Sequence, residues 1–137
     1  MITIDVKGKP VGQGAVRYNT SGHGYHANQK LLKPWRDMIK AAVMEAWGGA
    51  APWIGGVEVQ ATFCFEHLKS HRKANGVLRD DAPLIKTTAP DLDHLQRAVG
   101  DALKDAGAIL SDAQICSWTA SKAYSEQPGL HLVIRKL

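Results

Sequence analysis

Cysteine is nearly absent: Cys64 and Cys116 are the only two, far apart and with no second Cys near either. That excludes a multiply disulfide-stapled scaffold and a zinc ribbon or finger, and both thiols read as buried, reduced side chains of a cytoplasmic protein, with a single Cys64–Cys116 disulfide as the open alternative. Long apolar runs are missing too. None approaches the ~20 residues of a membrane span, and Met1-Ile2-Thr3-Ile4-Asp5 has neither the basic head nor the apolar body of a secretory signal. No glycine-rich phosphate loop precedes a helix, and neither a Gly-x-Ser-x-Gly elbow nor a Cys/His signature is present. We therefore expect no membrane partner, no nucleotide cofactor and no side-chain nucleophile.

Acidic charge is in short supply: 13 Asp+Glu face 17 Lys+Arg, for a net charge of +4. The distribution is uneven. From Met1 to Lys40 the basic residues Lys7, Lys9, Arg17, Lys30, Lys33, Arg36 and Lys40 meet only Asp5 and Asp37, so this stretch carries +5 and the remainder −1. Such an asymmetry suits a protein that grips phosphates with one region and gathers carboxylates in another, where a cation must sit between acid and phosphate. A solvated basic surface would give the same count.

With 137 residues, 45% of them hydrophobic, the chain has material for one core and one domain, 1–137. Ile2, Ile4 and Val6 alternate with polar residues as in a half-buried strand. The Gly-rich stretch Gly8 to Gly24 reads as a basic loop or irregular hairpin. Apolar residues from Leu31 to Trp47 recur at helical spacing, with Gly48-Gly49 as the stop and Pro34 expected in the first turn, leaving Lys33, Arg36 and Lys40 outward. Val57, Val59, Ala61, Phe63 and Phe65 alternate as a second strand.

Glu66 to Pro90 has no clear period and is longer than structureless connections usually are, so it is either functional or disordered. A second amphipathic helix carries Leu92, Leu95, Val99 and Leu103 between Pro90 and Gly107. Ile115 to Tyr124 and Leu130 to Leu137 flank a Glu126-Gln127-Pro128-Gly129 turn and are expected to pair as a C-terminal hairpin. The order predicts an α+β domain, a mixed or antiparallel sheet with two main helices packed on it.

The chemistry concentrates at Pro90-Asp91-Leu92-Asp93-His94-Leu95-Gln96-Arg97. Residues two apart within a helix point about 200° apart, so Asp91 and Asp93 converge only if Asp91 precedes the first turn, which Pro90 favours. Asp112 follows in Ser111-Asp112-Ala113-Gln114 and can join them only if Ala108 to Ser111 fold back along the helix. Three carboxylates would supply the hard oxygen ligands of Mg²⁺, with Mn²⁺ as a substitute, and Arg97 would offset charge on a phosphate. The plainer alternatives are an N-cap at Asp91, an Asp93–Arg97 surface ion pair, a turn cap at Asp112 and an exposed, idle His94. DNA phosphate contacts are assigned to Lys9, Arg17, Lys69, His71, Arg72, Lys73 and Lys86.

These motifs resemble the RusA family of Holliday-junction resolvases. The family pattern is an Asp-x-Asp pair opening a helix, a basic residue four positions after the second acid, and a later Asp-Asp-Ala-Gln-like segment. The matching stretches are Pro90 to Arg97 and Leu110-Ser111-Asp112-Ala113-Gln114-Ile115. The resemblance implies a metal-dependent endonuclease that resolves four-way DNA junctions by paired nicks in recombination and repair, acting as a homodimer on branched DNA. It places the metal-binding acids on Asp91, Asp93 and Asp112, and the family's essential lysine on Arg97, which keeps the charge but presents a planar, permanently protonated fork. Two rival readings are a non-catalytic branched-DNA-binding protein with a decayed metal site and a sugar-nucleotide transferase holding Mn²⁺ at Asp91-Leu92-Asp93. The second has little room in a chain of this length and no dinucleotide fingerprint.

Overall fold

Period-two burial builds the sheet. The computed structural model describes residues 1–14, 16–26 and 28–137, without the side chains of 16, 17, 25 and 26. Strands β1 (Ile2–Lys7), β4 (Val57–Glu66), β5 (Ile115–Ser125) and β6 (Gly129–Lys136) form a four-stranded sheet in the order β1-β6-β4-β5. Val57, Val59, Ala61, Phe63 and Phe65 of β4 point to the buried face, beside Leu130, Leu132 and Ile134 of β6 and Ile4 and Val6 of β1. The sheet is mixed. β6 runs antiparallel to both neighbours, and β4 and β5 are parallel.

That pairing corrects the expected C-terminal hairpin: β5 and β6 do not touch as strands, because β4 lies between them. Turn residues at 126–129 are compatible with either arrangement. Two strand spacings are roughly 10 Å, a gap that the link from Ser125 to Gly129 spans easily. The parallel β4–β5 pair in turn requires a crossover, and α2 (Leu92–Asp105) supplies it.

Helix α1 (Gln29–Trp47) begins earlier than the position of Pro34 predicts. Pro34 sits inside the helix on its exposed side, and its missing amide is tolerated because Leu32, Trp35, Ile39, Val43 and Trp47 anchor the other side in the core. Gly48, at φ 63°, closes the helix with its N–H on the Met44 carbonyl. Arg36 does not face outward with Lys33 and Lys40. It turns to α2, 2.9 Å from Asp105 and 3.9 Å from Asp101. The two helices therefore lie side by side on one face of the sheet, α1 against β1 and α2 against β5.

Between β1 and α1, β2 (Val16–Tyr18) and β3 (Gly24–His26) make a short antiparallel hairpin, within the stretch expected as a loop or irregular hairpin. Residues 66–90 form an ordered excursion: Arg72 bridges to Leu78, and Leu84 to Lys86 pair with Lys122 to Tyr124 of β5. Of the two thiols, Cys64 is half-buried and burial pushes its pKa up. Cys116 is exposed, contrary to expectation, because β5 is the sheet edge. Among the described residues no helix is long and apolar enough to cross a membrane.

Candidate metal centre

Asp91 occupies the N-cap of α2 in an extended conformation, φ −66° and ψ 144°, yet its side chain accepts no hydrogen bond from the helix. Its carboxylate is thus not spent on capping. Asp93 lies in the first turn, where the positive end of the helix favours an anion. A ligand atom from each of Asp91, Asp93 and His94 falls within 4.8 Å of the others. The imidazole stands between the acids, with Nδ1 4.0 Å from Asp91 and Nε2 4.0 Å from Asp93.

Arg97, one turn on, lies 3.9 Å from the Asp93 carboxylate. Both are more than half exposed, so this ion pair is weak and leaves the guanidinium available.

The chain does fold back after α2. Gln114 fixes the return: its Oε1 accepts from the Leu110 and Ser111 amides, and its Nε2 donates to the carbonyls of Trp53 and Gly55. Asp112 comes to rest opposite Gly100, where a Cβ would lie 3.7 Å from the Asp112 Cβ. Gly100 is two turns beyond Asp93, about 10 Å along the helix. Asp112 therefore stands outside the close Asp91–Asp93–His94 group. It lines a cleft of about 360 Å³ with Arg97, Asp101, Gln96, Gln13 and Trp118, and its carboxylate has no hydrogen-bond partner among the described residues.

Some supporting residues gave no sequence signal because they act on backbone atoms. The Gln13 amide donates to the His94 carbonyl at 2.9 Å, and its side chain donates to Asp101 at 2.6 Å. Lys122 donates to the carbonyls of Thr88 and Pro90, tethering the segment that delivers Asp91. Gly12 lies against Pro90 and His94 so closely that a Cβ there would be 3.1 and 3.0 Å from theirs.

The basic residues divide. Arg72 is held by Glu126 at 3.0 Å, and Lys73 is exposed. His71 packs edge-on against Tyr124. Lys9, Lys69 and Lys86 border one hollow. The Arg17 side chain lies outside the described residues.

Two carboxylates and a nearby imidazole at the exposed helix start form a donor set that could hold a divalent cation with room for water and a phosphate oxygen, and Asp112 lies apart from them in the cleft that Arg97 also lines. The family model of Endodeoxyribonuclease RusA matches residues 7–135. No curated protein matches. The chain belongs to the RusA endodeoxyribonuclease family.

Proposed function

We propose that this chain is a divalent-cation-dependent, structure-specific endonuclease that hydrolyses phosphodiesters at four-way DNA junctions in recombination and repair. The observation that carries the reading is the extended, uncapping placement of Asp91, which lets its carboxylate converge with Asp93 at the helix start. Asp91 and Asp93 would hold Mg²⁺ or Mn²⁺, with His94 beside them and Asp112 as the further acid from the adjoining cleft. A bound cation supplies Lewis acidity toward the scissile phosphate and activates water.

The chain's own residues do the rest. Arg97, one turn from Asp93 and only weakly paired with it, offsets charge on the non-bridging phosphate oxygens. Gln13 and Gly12 brace the helix start so that the acids keep their separation. Basic side chains beyond the cleft seat the flanking backbone. The chain works in the cytoplasm as a homodimer, because a four-way junction has approximate two-fold symmetry and paired nicks require two sites related by it.

The test is cleavage of a synthetic four-way junction and a matched duplex with Mg²⁺, with Mn²⁺ and with EDTA. Symmetric nicking of the junction, abolished by EDTA, is the expected result, with Mn²⁺ at least as effective as Mg²⁺ because an imidazole adjoins the acids. Junction binding without cleavage under either metal would overturn the reading in favour of a DNA-binding relative.

A further inference from the structure

Beyond the acidic cleft, the molecule has a hollow of about 350 Å³ bordered by Lys9, Lys69, Lys86, His67, Leu68 and Glu66. Its cations come from three separate segments: the link after β1, the turn at Lys69–His71 and the strap before Pro90. Glu66 is the only carboxylate among the residues that line it, and none of the three lysines forms an ion pair among the described residues. Three lysines against one carboxylate give the border of this hollow a net positive charge, which favours an anion there.

Lys86 is already in place for one. Its Nζ rests 5.1 Å from the Phe65 ring centroid and 5.3 Å from that of Tyr124, and donates to Thr88 Oγ1 at 2.9 Å. The rings hold the charge by cation–π attraction without neutralising it. His67 forms a fixed wall. Its ring is buried, stacks on Tyr124 and meets His71 Nδ1 at 3.2 Å. His71 Nδ1 also accepts from the Leu68 amide, so His67 Nδ1 is the donor of the pair. Leu68 and Pro128 supply an apolar side.

Gly12, three residues after Lys9, packs against His94, so the segment that carries Lys9 is seated on the helix start that carries the acids. Lys9 also borders an apolar groove that ends at Pro90, beside Asp91.

We propose that this hollow is a single-phosphate seat: Lys9, Lys69 and Lys86 jointly hold one backbone phosphate of the DNA strand that passes the acids, its sugar against Leu68 and Pro128. The assignment rests on the nuclease reading, and it differs from a diffuse basic surface in a countable way. Each phosphate neutralised contributes about 0.9 to the slope of log affinity against log salt concentration.

The experiment is fluorescence anisotropy of a labelled four-way junction over a salt series in EDTA, where no cleavage occurs. Wild type is compared with Lys9→Ala, Lys69→Ala, Lys86→Met and the triple variant, Lys86→Met keeping the packing on Phe65 and Tyr124. Each variant's thermal melt checks its fold, and Lys104→Ala, exposed in the last turn of α2, is the control outside the hollow. A shared phosphate predicts that the triple variant lowers the slope by about 1 and that the three single losses exceed the loss in the triple variant when summed. A fall of about 3 with additive losses means three separate phosphates, and an unchanged slope means none; either overturns the proposal while leaving the nuclease reading intact. Failure of wild type to bind the junction would instead overturn that reading.

Discussion

Helices α1 and α2 lie against the same sheet and use their ends differently. At the start of α1, Asn28 gives its side chain to the Gly12 carbonyl at 2.8 Å, and the first turn has no acid. At the start of α2, Asp91 caps nothing and Asp93 follows within the first turn. Neither helix uses its first residue as a cap. In α1 that residue holds the segment that packs on the start of α2, and in α2 it stands in the proposed metal site. Placing two acids together at an N-terminus is tolerable because unsatisfied amides there offset part of their repulsion. Stability should therefore depend on the buried side of α1, and chemistry on the exposed start of α2.

The sharpest way to break that division is at Trp35, 1% exposed in α1. Trp35→Ala should destabilise the protein by about 3–5 kcal/mol, read from urea unfolding, through lost burial and the cavity left behind. Its indole N–H has no hydrogen-bond partner among the described residues. Trp35→Phe removes that orphan donor along with part of the ring, so its cost should be much smaller, about 1 kcal/mol. A Phe variant as damaged as the Ala variant would mean that the indole N–H has a partner after all, since volume alone would leave Phe well short of Ala.

Asp93→Asn is the opposite case. Losing one of the paired carboxylates should slow junction cleavage by roughly 10²–10³-fold, the equivalent of the several kcal/mol that a bound cation contributes. The unfolding midpoint should barely move, since Asp93 is exposed and relief of repulsion by Asp91 offsets the lost helix-dipole interaction. Between the two lies Gly12→Ala. Its new Cβ would press on Pro90 and His94, so the helix start must shift by a few tenths of an ångström. We expect roughly a tenfold loss in cleavage with little change in stability, the signature of misplacement rather than unfolding.

Much of this was readable in the residues. Strands β1, β4 and β6 announce themselves by alternation because one face of the sheet is buried and the other is not. Alternation reports a face and never a neighbour, which is why the β5–β6 turn residues misled: a strand inserted between them leaves the pattern unchanged. Asp91 and Asp93 were legible because Pro90 breaks the helix just before them. The sequence offered Asp112 as a third acid but left its return toward α2 open, because that return, and where along the helix it stops, depends on Gly100 and on the Gln114 bonds to Trp53 and Gly55, contacts remote in sequence. His94 was open in the sequence as a ligand or proton donor, but a lone His in a first turn is more often idle, and its place between the acids emerged only in three dimensions.

The smallest expected effect separates contacts within a helix from those between helices. Arg36, three-quarters buried, joins α1 to Asp105 and Asp101 of α2. Lys33 joins α1 only to itself, 2.9 Å from Asp37. The Lys33 hydrogen bond holds the Asp37 carboxyl below its ordinary pKa, with burial opposing and the charges of Lys33, Lys40 and Arg36 assisting. A depressed carboxylate contributes stability above its unfolded pKa and loses it as pH falls through the folded value. For a fully exposed pair, solvent and salt screen that contribution. Lys33→Ala should therefore leave the unfolding midpoint unchanged at neutral pH in physiological salt, with only a slight weakening in low salt that vanishes below the acidic range where Asp37 protonates. Arg36→Ala should cost about 1 kcal/mol at neutral pH, because Asp105 loses its partner and Asp101 the cation near it. Equal losses from the two variants would show that the interhelix contact adds nothing beyond an ordinary surface pair, and the docking of α2 would then rest on its apolar side alone.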